Sequence, residues 1–202
     1  MRKKLRLGIM GGTFDPIHYG HLVTAEEALV QLNLDRVLFM PTGVPVRKTH
    51  RNVTSAEHRY LMTVIATASN PDFEVSRLEV DRPGPTYTVD TMLELRDIHG
   101  PQAELFFITG ADAVWEILTW KDSGRLSDVC TFIAATRPGY DLSKFAEEEA
   151  GRLRIEFMEV PALAISSTDI RRRVSRRQPV RYLLPEAVAS YIEKNDLYAE
   201  GL

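Results

Sequence analysis

A short apolar run, Leu5 to Met10, leads into Gly11-Gly12-Thr13-Phe14-Asp15-Pro16-Ile17-His18-Tyr19-Gly20-His21, and this into Leu22 to Leu32, whose apolar residues recur at helical spacing. No other feature constrains the fold as strongly: the order is strand, glycine turn, helix. Glycines let a backbone approach a ligand where a Cβ would collide. The first N–H groups of a helix lack intrahelical partners and offer a seat for an anion. His18 and His21, three residues apart, fall on one helical face, directed at that seat. The pattern predicts phosphate chemistry. It is not a Walker A loop, since no Gly-Lys-Ser/Thr follows, nor the GxGxxG dinucleotide fingerprint.

Beyond this stretch, apolar runs alternate with amphipathic ones. Extended segments are predicted at Arg36 to Met40, Phe73 to Val80, Leu105 to Ile108, Val129 to Ala135 and Leu153 to Val160. Helices are predicted at Ser55 to Ala68, with Thr54 and Glu57 as a capping box, and at Thr88 to His99, Ala111 to Leu118, Asp141 to Ala150 and Ser167 to Arg177. A last helix has Pro185 in its first turn, ahead of Ala187 to Ile192. Residues 42–52 are rich in Gly, Pro and basic residues without periodicity and read as a loop. Strands separated by helices imply an α/β, doubly wound, mainly parallel sheet with a C-terminal helical segment. Ligands of such a sheet bind at the carboxyl ends of its strands. Gly11-Gly12, Pro41-Thr42, Gly110 and Arg137 all follow predicted strands. With no repeat and no clear boundary, residues 1–202 read as a single domain.

Composition narrows the class. A hydrophobic share of 44% and a charged share of 26% are those of a globule, and a net charge of −3 gives no global reason to expect nucleic acid. Cys130 is the only cysteine, so an intrachain disulfide and a cysteine-rich zinc site are excluded. It is expected mid-strand as a small core hydrophobe. The first ten residues lack a signal-peptide pattern, and no stretch approaches the roughly 20 apolar residues that span a bilayer. The expected location is cytoplasmic.

A second anchor is Ile165-Ser166-Ser167-Thr168-Asp169-Ile170-Arg171. Hydroxyl residues opening a helix cap it and leave N–H groups for a polyphosphate, and Arg171 on the first turn can hold phosphate oxygens. Of the basic run Arg171 to Arg177, Arg171 reads as functional and the others as solvated.

The His18-Tyr19-Gly20-His21 core resembles the HxGH signature of the nucleotidyltransferase superfamily, and Ile165 to Arg171 resembles that superfamily's ISSTxIR element. Within it, Pro41 to Lys48, Thr86 to Thr91, Gly110-Ala111-Asp112, Thr119-Trp120 and Arg137 to Tyr140 resemble the bacterial nicotinate mononucleotide adenylyltransferases in order and spacing, across essentially the whole chain. The resemblance implies transfer of AMP from ATP to nicotinate mononucleotide, with His18 and His21 as the catalytic residues. It assigns Gly11, Gly12, Thr13, Phe14, Gly110, Asp112, Ser166, Ser167, Thr168 and Arg171 to ATP. It assigns Arg47, Lys48, Thr86, Tyr87, Thr88, Trp120 and Arg137 to the mononucleotide. Mg²⁺ is implied as carried by ATP, with no protein-made metal cage, no nucleic-acid partner and no membrane. A homo-oligomer is left open. In one departure from the family pattern, Val46-Arg47 stands where Pro-His is usual. Phosphopantetheine adenylyltransferase and cytidylyltransferases share the phosphate motifs, but the Trp120 and Thr86 to Thr88 pattern speaks against both. A nucleotide sensor without turnover is the competing class.

Overall fold

The structure, a computed structural model, describes residues 4–45, 53–111, 113, 117, 123–139 and 154–199. The chain divides into two compact units.

The first unit comprises residues 1–11, 24–38 and 87–162. It contains most of β1 (Leu5–Gly12), α3 (Thr88–His99), β6 (Ala103–Gly110), the short α4 (Ser123–Leu126), β7 (Thr131–Thr136) and β8 (Ile155–Glu159). β1 pairs with β6, β6 with β7, and β7 with β8, all in parallel. Leu7, Ile9, Phe106, Ile108, Phe132 and Ile133 are buried. The four central residues of β1 and of β6 are buried in an unbroken run, the pattern of strands covered on both faces. In β8 only Met158 is buried, as suits an edge strand. Cys130 is buried but lies just before β7 rather than within it, its N–H bonded to the Leu126 carbonyl. Burial pushes its thiol up to about 12.

The second unit comprises residues 12–23, 39–86 and 163–202. It contains α2 (Ala56–Thr67), β4 (Phe73–Val75), α5 (Ser167–Ser175) and α6 (Glu186–Lys194). Two short strands, β3 (Val44–Pro45) and β5 (Pro85–Thr86), pair in parallel inside the stretch read as loop and turn. α2 packs on β4 and α6, and His58 Nδ1 meets the Tyr191 hydroxyl at 2.8 Å. Two elements pass between the units: α1 (Tyr19–Gln31) and β2 (Arg36–Pro41).

The six-stranded sheet has the order β4-β2-β1-β6-β7-β8. Strand order reverses between β1 and β6, the switch point of a doubly wound sheet. Gly11 and Gly110 lie at the carboxyl ends of those two neighbouring strands.

Local signals set most elements, and the departures have identifiable causes. The cap of α2 is Ser55, whose Oγ accepts the His58 N–H, and not Thr54. Thr54 is drawn elsewhere: its N–H goes to Asp15 and its carbonyl to Arg59. The extension expected to Val80 stops at Val75. There the Ser76 hydroxyl accepts the Leu78 N–H, and Arg77 closes a turn on Asp81. Pro185 caps α6 from outside its first turn. The helix expected at 141–150 lies outside the described residues, as does most of that expected at 111–118, where Ala111, Ala113 and Ile117 are helical.

Candidate active site

The turn between β1 and α1 is built from the second unit's own residues. Phe14 is buried with φ 49, a left-handed conformation uncommon outside glycine and a form of local strain found at functional sites. Its ring lies edge-on to His21 at 5.1 Å and tilted on Phe39 at 5.9 Å. A Cβ on Gly12 would lie 2.9 Å from that ring, so the glycine makes room for an aromatic wall. Three carbonyls around the turn, those of Thr13, Gly43 and Thr54, each accept an N–H of Arg59 at 2.8 Å. Arg59 is 1% exposed. Burial lowers its guanidinium, opposed first by the charge of Asp15. Gly43 itself tolerates nothing larger: a Cβ would come 2.0 Å from the Glu79 carbonyl oxygen.

His18 immediately precedes α1, and His21 lies in its first turn. The rings stack with centroids 3.7 Å apart. His21 Nδ1 accepts the His18 N–H at 3.2 Å, which puts the proton of a neutral His21 ring on Nε2. His18 is buried, and that burial lowers its pKa from the ordinary 6.5 to about 4. Near neutral pH it is an uncharged imidazole. The anion seat at this helix start differs from the expectation. The Tyr19 N–H is bonded to the Leu183 carbonyl, and the His21 and Leu22 N–H groups to the His18 carbonyl, so imidazoles face the site with several helix N–H groups already satisfied.

The start of α5 also belongs to this unit. The Ser166 hydroxyl accepts the Asp169 N–H at 3.1 Å, and the Ser167 hydroxyl donates to the Pro16 carbonyl at 2.8 Å. Arg171 Nη1 donates to the Asp15 carbonyl at 2.6 Å, and Nη2 reaches Thr168 Oγ1 at 3.4 Å. Arg172 and Arg173 both pair with Asp169 and are partly exposed. Their hydrogen bonds, that of Arg173 first, hold the Asp169 carboxyl below its usual range.

Among the described residues, three buried side-chain polar atoms lack a hydrogen-bond partner: His18 Nδ1, Thr86 Oγ1 and Arg171 Nε. Buried polar atoms are paired in the great majority of cases, so such exceptions call for a ligand or a strained role. All three belong to residues singled out from the sequence. Thr86 also lies next to the Gly43 close approach, its Oγ1 3.3 Å from where a Cβ would stand.

In the first unit, Tyr87 precedes α3 and Thr88 opens it, while Gly110 and Arg137 are exposed at the ends of β6 and β7. Arg47, Lys48, Asp112 and Trp120 lie outside the described residues. Among the described residues no three His, Cys, Asp or Glu side chains group as a metal site, and no helix is long and apolar enough to cross a membrane. Sequence reasoning missed Arg59, Tyr198 and the Asp15 carboxylate. For Arg59 a signal existed: it continues the stripe of Met62, Thr63 and Ala66 on the buried face of α2.

Residues 9–173 match the family described as "Cytidylyltransferase-like", which makes this chain a nucleotidyltransferase of that class. A Moorella thermoacetica protein named "Probable nicotinate-nucleotide adenylyltransferase" is 60% identical over 202 residues, covering 98% of this chain and 93% of the relative. A Thermoanaerobacter protein of the same name is 56% identical over 204 residues, covering 98% and 96%. The chain belongs to the nicotinate-nucleotide adenylyltransferase family. Its fold is also that of Plasmodium falciparum nicotinic acid mononucleotide adenylyltransferase complexed with NaAD, at a TM-score of 0.79 and 19% identity over 96% of this chain and 97% of that one.

Proposed function

We propose that this chain transfers AMP from ATP to nicotinate mononucleotide, giving nicotinate adenine dinucleotide and pyrophosphate, as a single cytoplasmic catalytic domain of residues 1–202. Family membership supports the reaction. The observation that carries the site is the set of unpartnered buried atoms on His18, Thr86 and Arg171.

A phosphate oxygen of the mononucleotide attacks the α-phosphorus of ATP, and the bond to the β-phosphate bridging oxygen breaks as pyrophosphate leaves. The attacking phosphate is already anionic, so the reaction needs no general base and no enzyme nucleophile. Positioning and charge stabilisation remain as the tasks of the protein. His18 and His21 donate to phosphate oxygens. A neutral His18 gives a hydrogen bond in the ground state and gains basicity as negative charge gathers beside it. Gly11, Gly12, Thr13 and Phe14 shape the turn under the nucleotide, and Gly110 and Asp112 meet its ribose and base. Ser166, Ser167, Thr168 and Arg171 receive the departing pyrophosphate. Mg²⁺ belongs to the substrate, carried on the ATP phosphates.

For the mononucleotide, Arg47 and Lys48 hold the phosphate, Arg137 adds a further contact, Trp120 stacks on the pyridine ring, and Thr86, Tyr87 and Thr88 receive the carboxylate. Donors of this kind suit an acid better than an amide, which brings donors of its own. We read the basic run, apart from Arg171, as a solvated helix face, and the pairing of Arg172 and Arg173 with Asp169 supports that reading.

The test is pyrophosphate release from MgATP with nicotinate mononucleotide, its amide, or phosphopantetheine as acceptor. The acid should be preferred; turnover with phosphopantetheine alone, or binding without release, would replace this reading.

A further inference from the structure

The Asp15 carboxylate has no part in the reaction just described, yet it is buried and both oxygens are held. Oδ1 accepts the Tyr198 hydroxyl at 2.7 Å, and Oδ2 accepts the Thr54 N–H at 3.3 Å. The main chain here is fixed from α5, through Arg171 on the Asp15 carbonyl and Ser167 on the Pro16 carbonyl. Three residues past Asp15 is His18.

Tyr198 reaches Asp15 from beyond α6. The backbone has φ 49 at Asp196 and φ 63 at Tyr198, a region that non-glycine residues occupy when surrounding contacts hold them there. The phenol is pushed well above its usual range, by burial first and then by the Asp15 charge, so it stays a hydrogen-bond donor. Arg59, whose Nε, Nη1 and Nη2 donate to the Thr54, Thr13 and Gly43 carbonyls, supplies the opposing positive charge through space. The carboxylate thus has two donors and a buried cation nearby.

We infer that Tyr198 is a positioning residue for catalysis: its hydroxyl on Asp15 holds the turn that carries His18, making the C-terminal segment part of the active-site scaffold. The kinetic consequence rests on the proposed adenylyl transfer; the structural one does not.

Tyr198→Phe removes the hydroxyl and keeps the ring. Assayed by pyrophosphate release at saturating MgATP and nicotinate mononucleotide, well below each variant's melting temperature, it should lower kcat by about tenfold and leave both KM values within about threefold. In an Asp15→Ala background the same change should add less than about threefold, because the contact the two residues share is already gone. In the substrate-free protein, Tyr198→Phe should shift the nitrogen NMR signals of the His18 ring. Tyr191→Phe, which loses only the contact with His58, should leave them in place. A kcat unchanged within about twofold, or full additivity with Asp15→Ala, would overturn the inference. Wild-type protein that releases no pyrophosphate would overturn the proposed reaction instead. In that event unmoved His18 signals would overturn the positioning role as well.

Discussion

Helices α1 and α5 both begin at residues assigned to phosphate, and they begin by different physics. α5 starts locally. Ser166 caps the Asp169 N–H, and Asp169 in turn binds Arg172 and Arg173, all within eight consecutive residues. α1 has no acidic residue in its first turn. An imidazole, His21, reaches back to the N–H of His18, and the Tyr19 N–H goes to the carbonyl of Leu183, far along the chain. A locally capped helix keeps its start when remote residues change. One started by a remote carbonyl and a buried imidazole makes its reactive geometry depend on the fold around it. The substitutions below separate those two behaviours.

The sharpest separation is expected from His18→Ala. Removing one preorganised donor to a developing negative charge costs on the order of 10²–10³ in turnover. We expect kcat to fall by roughly a thousandfold while the KM for ATP changes little, since Arg171 and the α5 hydroxyls remain to bind phosphate. Near-normal turnover in steady-state kinetics would remove His18 from the mechanism. Arg59→Met tests the scaffold of the same turn. The carbonyls of Thr13, Gly43 and Thr54 each lose a donor, and Asp15 is left buried without its nearby cation. The expected loss is about 3 kcal/mol or more in denaturant unfolding. A loss below about 1 kcal/mol would mean that the turn keeps its shape without Arg59.

Acid should find the same weak point. The folded-state pKa of His18, about 4, lies below the ordinary 6.5, so the unfolded chain takes up the proton first as pH falls. The stability contributed by neutral His18 is fully present above 6.5 and is lost between 6.5 and 4, a window worth roughly 3 kcal/mol at most. Urea unfolding across that window should show the slope in wild type and a flatter profile in His18→Asn. An identical slope in both would assign the acid limb to other groups.

The same contrast explains what was legible in the sequence. The run of strands and helices was readable because period-2 and period-3.6 patterns are local, and α3 has the expected bounds at Thr88 and His99. The Ser166 cap was readable for the same reason. What stayed hidden depends on distant partners. Thr54 looked like a cap until Asp15 and Arg59 took its backbone groups. The segment after Val75 looked extended until a serine hydroxyl and Arg77 turned it. Tyr198 near the end of the chain offers no spacing that ties it to Asp15. The histidines were legible as residue types, but their stack, the Nδ1 bond and the depressed pKa of His18 come only from burial.

The smallest effect bears most directly on the two helix starts. Ser166→Ala removes only a local cap, and such losses cost about 1 kcal/mol. Ser167→Ala, one residue on, removes a bond of similar strength, but to the Pro16 carbonyl in the turn leading to α1. Each variant should destabilise the protein by a similar amount, about 1 kcal/mol in thermal or denaturant unfolding. They should part in the kinetics. Ser166→Ala weakens the α5 end proposed to receive pyrophosphate, so its effect should concentrate in the KM for ATP. Ser167→Ala also loosens the chain ahead of His18, so its kcat should fall further than that of Ser166→Ala. Equal kcat values in the two variants would show that the α1 turn holds its geometry without the Ser167 bond, on the tethers from Arg171, Arg59, Tyr198 and Leu183.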